Sequence, residues 1–428
     1  MIPTFEVELT GSRAENPTAV VLYQFFPPDE VVSAKLFGDL SSGLSKRGWR
    51  VAAYPSIFGF GDDPSRHSRR ETWNGVDVRR VWRPKFRQWS GIGRMLNAIW
   101  IGVRWSMLAL DPRVRPDVVI IGTDPVLSIT VASAWRTFKP HTKVIHWCFD
   151  LYPEAAIADG HLNANSLFLR LIRPALHKAY ESCDLIVDIG CCMRERLERY
   201  PTAARKSTLV PWALEEHSLP VPSDPVERQT VFGGARLGVM YSGSFGRAHS
   251  SKELLSLARC MRDDDVQFVF AVSGSRVNDL ENEVRIDDSN IRFVSPAPIG
   301  MLLQRLGCAD IHIVSLRAEW TGTVVPSKFF GALAVGRPVL FAGSAQSAIA
   351  RWIFDLNVGW VLSGENVNEI AQELRLYAAD PQAQELMRKR CHQVYASRFS
   401  KAQGIGRWHS ELCNLLEIKG RETVGAEV

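Results

Sequence analysis

No two cysteines in this chain are spaced as CxxC, although the 428 residues include eight of them. Cys191 and Cys192 are adjacent and the other six are scattered. This is neither a disulfide framework nor a zinc-binding pattern, so reduced thiols in a cytoplasmic compartment are expected. Long apolar runs are also missing. Nothing reaches the roughly 18 to 20 consecutive apolar residues that span a bilayer; the nearest stretch, Met95 to Leu110, is broken by Asn97 and Arg104. The opening residues, MIPTFEVELTGSRAENPT, lack the apolar centre of a secretory leader. There is no repeat of short fixed period and no low-complexity tract. No DxD motif stands at a strand end either: Asp263-Asp264-Asp265 reads as a solvated turn between a helix and a strand.

What is present is ordinary for a globular protein, 46% hydrophobic and 23% charged, with a length that suggests two or three domains. A net charge of +5 is mild; it suits an anionic ligand or surface without requiring nucleic acid. One stretch departs from the average. Residues 79–110 carry Arg79, Arg80, Arg83, Lys85, Arg87, Arg94 and Arg104, no acidic residue, and interleaved Trp82, Trp89, Trp100 and Trp105. Cations mixed with indoles suit the headgroup layer of an anionic membrane, with Trp82, Arg83, Lys85, Arg87 and Trp89 as the expected contacts. Base stacking by tryptophan and a core helix with a solvated basic face are the competing readings. Nucleic acid is disfavoured because these residues form one local stretch and not a domain-wide surface.

Short apolar runs alternate with helical periodicity. Val20 to Tyr23 reads as a buried strand, Leu36, Leu40 and Leu44 as one face of a helix ended by Gly48, and Val51 to Tyr54 as the next strand. Val118–Ile121, Val144–Phe149 and Leu185–Ile189 continue the series. Strand–helix–strand order of this kind predicts a parallel, doubly wound sheet, whose ligands bind beyond the carboxyl ends of the strands. That rule selects Pro27 to Ser33, Gly122-Thr123-Asp124 and Asp150 to Glu154. Asp150 ends an apolar strand and Glu154 lies four residues on; two carboxylates there could orient or deprotonate a hydroxyl. The bland alternative is a cap and a solvated side chain.

A proline-rich stretch from Pro211-Trp212 to about Gly234 reads as a linker, after which a second strand–helix series starts. Val239-Met240-Tyr241 runs into Ser242-Gly243-Ser244-Phe245-Gly246-Arg247, with His249 close by, and Val266–Val272 ends at Ser273-Gly274-Ser275. The most informative stretch is Thr321 to Gly343, TGTVVPSKFFGALAVGRPVLFAG: a loop, a short small-faced helix with Pro326 in its first turn, and a buried strand. Ser327 and Lys328 then stand at the positive end of that helix, where unpaired N–H groups favour an anion such as phosphate. Packing alone, with an incidental lysine, explains the same stretch about as well. The expected domains are 1–212, a linker at 213–235, 236–395, and a C-terminal helix and tail, 396–428, packing back on the first domain.

Taken together, YQFFPPDEVVSAKLFGDLSSGLSKRGWRVAAY, HWCFDLYPEAA, YSGSFGRAHSSKELLSLA and VVPSKFFGALAVGRPVL resemble glycosyltransferase family 4, of GT-B fold, over nearly the whole chain. The flavour is that of bacterial members building exopolysaccharide, capsule and O-antigen. The resemblance implies an α/β fold with two Rossmann-like domains around a cleft. It also implies retaining transfer of the hexosyl type from a nucleotide-sugar held by the second domain, without metal, to an acceptor held by the first. The chain departs from the family in one respect: the usual pair of glutamates eight apart falls on Thr323 and Gly331, neither of which is a carboxylate. Glu319 is the expected substitute for the first. Arg247, His249 and Lys328, with Ser244 and Ser327, are expected at the donor diphosphate; Gly243, Gly274, Glu319 and Thr323 at its sugar or nucleotide; Asp150 and Glu154 at the reacting hydroxyl. The expected partners are a nucleotide-sugar, a polyprenyl-diphosphate-linked saccharide and an anionic membrane, with the protein lying on the inner face of the cell membrane. Two other readings share the architecture: a non-catalytic relative that binds a nucleotide-sugar or a partner enzyme, and a sugar-nucleotide epimerase.

Overall fold

The structure is a computed structural model; it describes residues 16–61, 65–86, 91–213, 215–298 and 300–418. The first sheet contains β1 (Thr18–Leu22), β2 (Arg50–Ala53), β3 (Arg70–Trp73), β4 (Val76–Arg79), β5 (Val118–Ile121), β6 (Lys143–Trp147), β7 (Leu185–Asp188) and β8 (Arg205–Thr208), in the order β3-β4-β2-β1-β5-β6-β7-β8. All pairings are parallel except β3 with β4. β1, β5 and β7 are buried throughout, because helices cover both faces of a parallel sheet. Thr18 Oγ1 donates to Asp117 Oδ2 at 2.7 Å and pins the start of β1 beside that of β5.

The second sheet contains β9 (Leu237–Ser244), β10 (Val266–Ser273), β11 (Ile291–Val294), β12 (Ile311–Ser315), β13 (Val339–Ala342) and β14 (Gly359–Leu362), ordered β11-β10-β9-β12-β13-β14. In each sheet the chain leaves its first strand to one side and later returns on the other. The resulting switch points lie between β1 and β5 and between β9 and β12, and a doubly wound sheet opens its ligand crevice at that point.

The segment expected as a linker contains a helix, Pro225–Phe232, capped by Asp224, which accepts from Glu227 N. Its Val231 and Phe232 are buried with Met240, Val269 and Ala271, so it belongs to the second sheet's core. The last helix, Lys401–Leu415, lies against the first domain: the Trp408 and Trp147 rings are 4.8 Å apart, Lys401 pairs with Asp39, and a Cβ at Gly43 would stand 2.6 Å from Ile405. Pro326 precedes the helix Lys328–Ala334 by two residues instead of opening it, with Ser327 between them as the cap residue.

Candidate functional site

Across the second sheet, register fixes the donor-side geometry. Ser244 ends β9 opposite Ser273 of β10, so the loops 243–249 and 274–276 leave the same edge together. Gly243 (φ 108°) and Gly274 (φ 123°) turn these loops; a Cβ at Gly274 would press within 2.8 Å of the Phe245 carbonyl. Lys328 reaches the first loop from the helix that follows β12: its Nζ donates to the Ser244 carbonyl at 2.9 Å and sits 4.9 Å from the centre of the Tyr241 ring. Burial lowers its pKa to about 8. Ser327 is exposed beside it and its side chain makes no capping bond.

His249 does not supply the positive charge expected of it. Its Nδ1–H donates to the Ser315 carbonyl at 2.7 Å, and burial, reinforced by Lys328, lowers its pKa to about 4. It is a neutral ring stacked on Phe245, offering Nε2 as an acceptor. Thr323 is likewise withdrawn. It is fully buried, its hydroxyl donates to the Trp320 carbonyl at 2.8 Å, and its own carbonyl accepts from Leu151 N at 2.8 Å. Thr323 therefore joins the two domains next to Asp150 instead of facing a ligand. Glu319 is exposed, with its carboxylate 3.7 Å from Arg317.

Arg247 spans the cleft. Its Nη1 lies 3.2 Å from Asp159 Oδ2 and 2.8 Å from His161 Nε2, both from the first domain. It borders an open cavity of about 370 Å³ with Asp159, Ser275, Arg276, Asp279 and Arg317. Arg276 and Arg317 also line the adjoining space of about 310 Å³. These two cations were not anticipated from the sequence, although Arg276 directly follows the small-residue strand end Ser273-Gly274-Ser275.

On the first domain's side, Asp150 and Glu154 have different neighbours. Glu154 opens a five-residue helix and its Oε1 accepts from Tyr200 OH at 2.7 Å, while Oε2 is buried without a partner. Asp150 instead shares its surroundings with Asp124, Tyr23 and Tyr152. Burial lifts Asp150 to about 6; burial, followed by the Asp150 charge, lifts Asp124 to about 7. Asp124 is thus a further carboxylate beside Asp150. Asp124 lies just past β5, at the first sheet's switch point.

The expected membrane contacts also part company. Trp82 is 46% exposed and packs edge-on to Trp100 at 5.2 Å, and Lys85 is exposed above the Phe58 ring. Arg83 is 1% exposed and cannot touch a membrane. Arg87 and Trp89 lie outside the described residues. The exposed apolar surface belongs chiefly to the next helix, Gly91–Leu108, which shows Ile92, Leu96, Ile99, Val103 and Met107 to solvent. Among the described residues no helix is long and apolar enough to cross a membrane, and no group of acidic, His and Cys side chains could hold a metal ion.

Gly331, the second family position without a glutamate, has room. A Cβ there meets only Leu306 Cδ1, at 4.0 Å. Gly331→Glu should fold and gain about 0.5–1 kcal/mol, since glycine is costly inside a helix. Thermal unfolding checks this; a lower melting temperature would mean the space is not free.

Two doubly wound domains, each with its switch point, make up a GT-B fold. Residues 34–215 match the model of Glycosyltransferase Family 4. The chain is 25% identical over 274 residues to WbjE of Pseudomonas aeruginosa, a probable glycosyltransferase, covering 63% of this chain and 67% of that protein. Sucrose-phosphate synthase from Thermosynechococcus elongatus shares the fold, with a TM-score of 0.69 at 15% identity over 95% of this chain and 100% of that one. HepE of Anabaena, in complex with UDP and glucose, gives 0.64 at 11% over 93% of this chain and 100% of that one. The match over residues 34–215 and the likeness to WbjE support a glycosyltransferase of family 4.

Proposed function

We propose that the protein is a retaining glycosyltransferase that moves a sugar from a nucleotide-sugar to a lipid-linked saccharide during synthesis of a bacterial surface polysaccharide. The observation that carries this reading is the cavity lined by Arg247, Arg276 and Arg317 together with Asp159 of the first domain, while Asp150 adjoins the contact of Leu151 N with the Thr323 carbonyl that joins the two domains. The cations would neutralise the departing diphosphate. Asp150, with Asp124 beside it, would orient the acceptor hydroxyl. The hydroxyl oxygen bonds to the anomeric carbon on the face that the diphosphate leaves, and the leaving oxygen takes its proton. The UDP in HepE supports a nucleotide-sugar donor of the same chemistry. Arg247 must exchange Asp159 for the diphosphate when the donor enters.

Thermal unfolding with UDP, GDP, ADP, CMP and dTDP, followed by assay of the matching sugar donors, tests this reading. One nucleotide at about a hundred times its dissociation constant should stabilise the protein by roughly 2.7 kcal/mol. No shift with any of them, in the presence and absence of lipid vesicles, would leave the non-catalytic alternative.

The acceptor's lipid requires a membrane surface, and the outer face of Gly91–Leu108, flanked by Arg94, Arg104 and Lys85, suits one of negative charge. The protein should co-sediment with phosphatidylglycerol vesicles at low salt. A double variant, Ile99→Glu with Val103→Glu, should stay in the supernatant while its melting temperature is unchanged, because both side chains are more than half exposed.

A further inference from the structure

Asp159 stands where a carboxylate is least expected. The open cavity of about 370 Å³ takes its other charged lining from the second domain: Arg247, Arg276, Asp279 and Arg317. Among the described residues that line it, Asp159 alone comes from the first domain, in the turn after the helix Glu154–Ala158. A carboxylate repels a diphosphate entering the same space, so its position calls for a physical cause.

Its partner supplies one. Arg247 Nη1 donates to Asp159 Oδ2 at 3.2 Å and to His161 Nε2 at 2.8 Å, and those two acceptors lie 3.4 Å apart. One guanidinium nitrogen thus meets two acceptors from the other domain, much as it would meet two phosphate oxygens. The other arginines of the cavity differ. Arg276 is paired with Asp279 at 2.7 Å and Arg317 with Glu319 at 3.7 Å, both within the second domain. The Arg247 and His161 side chains are 51% and 55% exposed, so their contact opens into solvent. Towards the start of the same segment, Leu151 N donates to the Thr323 carbonyl at 2.8 Å. The segment 151–161, which follows Asp150 directly, is therefore tied to the second domain at both ends.

We infer that Asp159 and His161 form a latch that competes with the donor: they hold Arg247 in the donor's absence and yield it to the diphosphate, which frees one of the two ties on the segment next to Asp150. The inference rests on the reading of this cavity as part of the donor site. Capture of Arg247 lowers the fraction of molecules ready for an anion, and the apparent dissociation constant rises by the inverse of that fraction. The latch makes donor entry and release of the first domain's segment one event.

Inorganic pyrophosphate, UDP and uridine are the probes, titrated calorimetrically against wild type, Asp159→Asn, Arg247→Met and the double variant. Asparagine keeps the shape of the side chain and removes its charge. Asp159→Asn should bind pyrophosphate and UDP about three- to tenfold more tightly than wild type. Its affinity for uridine, which carries no phosphate, should not change. In the Arg247→Met background the same substitution should alter pyrophosphate binding by less than about twofold, because the gain runs through Arg247. Persistence of the gain in that background would mean that Asp159 merely repels anions, and would overturn the latch. Unchanged or weaker pyrophosphate binding in Asp159→Asn would overturn it as well, leaving the contact as a tie between the domains. Failure of UDP to bind wild type and Asp159→Asn alike, while pyrophosphate still gains through Arg247, would overturn the nucleotide donor and leave the latch standing. Binding of UDP to wild type with no gain in Asp159→Asn would do the reverse.

Discussion

Lys328→Ala should cost most of the protein's affinity for its nucleotide. The ammonium is already positioned, held by the Ser244 carbonyl at 2.9 Å and by the Tyr241 face, so little ordering remains to be done when a diphosphate arrives. A unit charge pair at 4 Å is worth about 4 kcal/mol at an effective dielectric near 20, before the phosphate is desolvated. The net loss for a charged hydrogen bond is about 1.5–3 kcal/mol, or about ten- to 150-fold in the dissociation constant. The burial that lowers Lys328 to about 8 adds a pH signature. A bound diphosphate holds the proton on, whereas the free protein sheds it, so the dissociation constant for UDP should rise about tenfold per unit above pH 8. The alanine variant should show no such rise from this residue. The sign of the stability effect is also fixed. The folded pKa lies below the ordinary 10.5, so the unfolded chain binds more protons between about 8 and 10.5 and the charged lysine works against folding below that window. Loss of binding in Lys328→Ala should therefore come without loss of the fold. Calorimetric titration of UDP from pH 6.5 to 9.5 measures both effects; a pH-independent wild-type affinity would exclude Lys328 from the diphosphate site.

The parts of the fold that follow from local apolar runs were legible. Val118–Ile121 and Leu185–Asp188 are strands because nothing else buries three or four consecutive branched or aliphatic side chains so economically in a helix-covered sheet. The loop and helix at Lys328 were legible for a different reason, since Gly243, Gly274 and Pro326 each punctuate the chain. What the sequence could not display was which strand ends become neighbours. Asp124 and Asp150 are 26 residues apart and meet only because β5 and β6 pair with Ile121 opposite His146. Asp150 and Glu154 are four apart, yet the turn at Leu151 to Pro153 sends one to the cleft and the other to Tyr200. Arg83 sat in a run of exposed-looking cations, but the loop carrying Ser56 and Phe58 folds over it. Burial of that kind is a tertiary event with no periodic signal.

Asp124→Asn should make the protein more stable above neutral pH and much poorer as a transferase. Asp124 is pushed from the ordinary 3.8 to about 7, first by burial and then by the Asp150 charge. A carboxyl raised in the folded state binds its proton more tightly there than in the unfolded chain. Its favourable contribution is complete below pH 3.8 and is lost as pH climbs to about 7. Asparagine never acquires the charge, so the variant should gain on wild type progressively from about pH 4 to pH 7 and hold the advantage beyond. About three pKa units set a ceiling near 4 kcal/mol; because Asp124 is only half-buried, a gain on the order of 1–2 kcal/mol is expected once solvent screening is allowed for. Transfer should fall instead, by about 10²-fold, because the acceptor hydroxyl loses a carboxylate that helps to orient it. Stability that rises while activity falls is the behaviour of a residue kept for chemistry at the expense of folding. Melting temperature and transfer rate, each followed from pH 4.5 to 8.5 in wild type and Asp124→Asn, give the two curves. A variant destabilised at pH 8, or one equally active across the range, would show that Asp124 serves the fold and not the reaction.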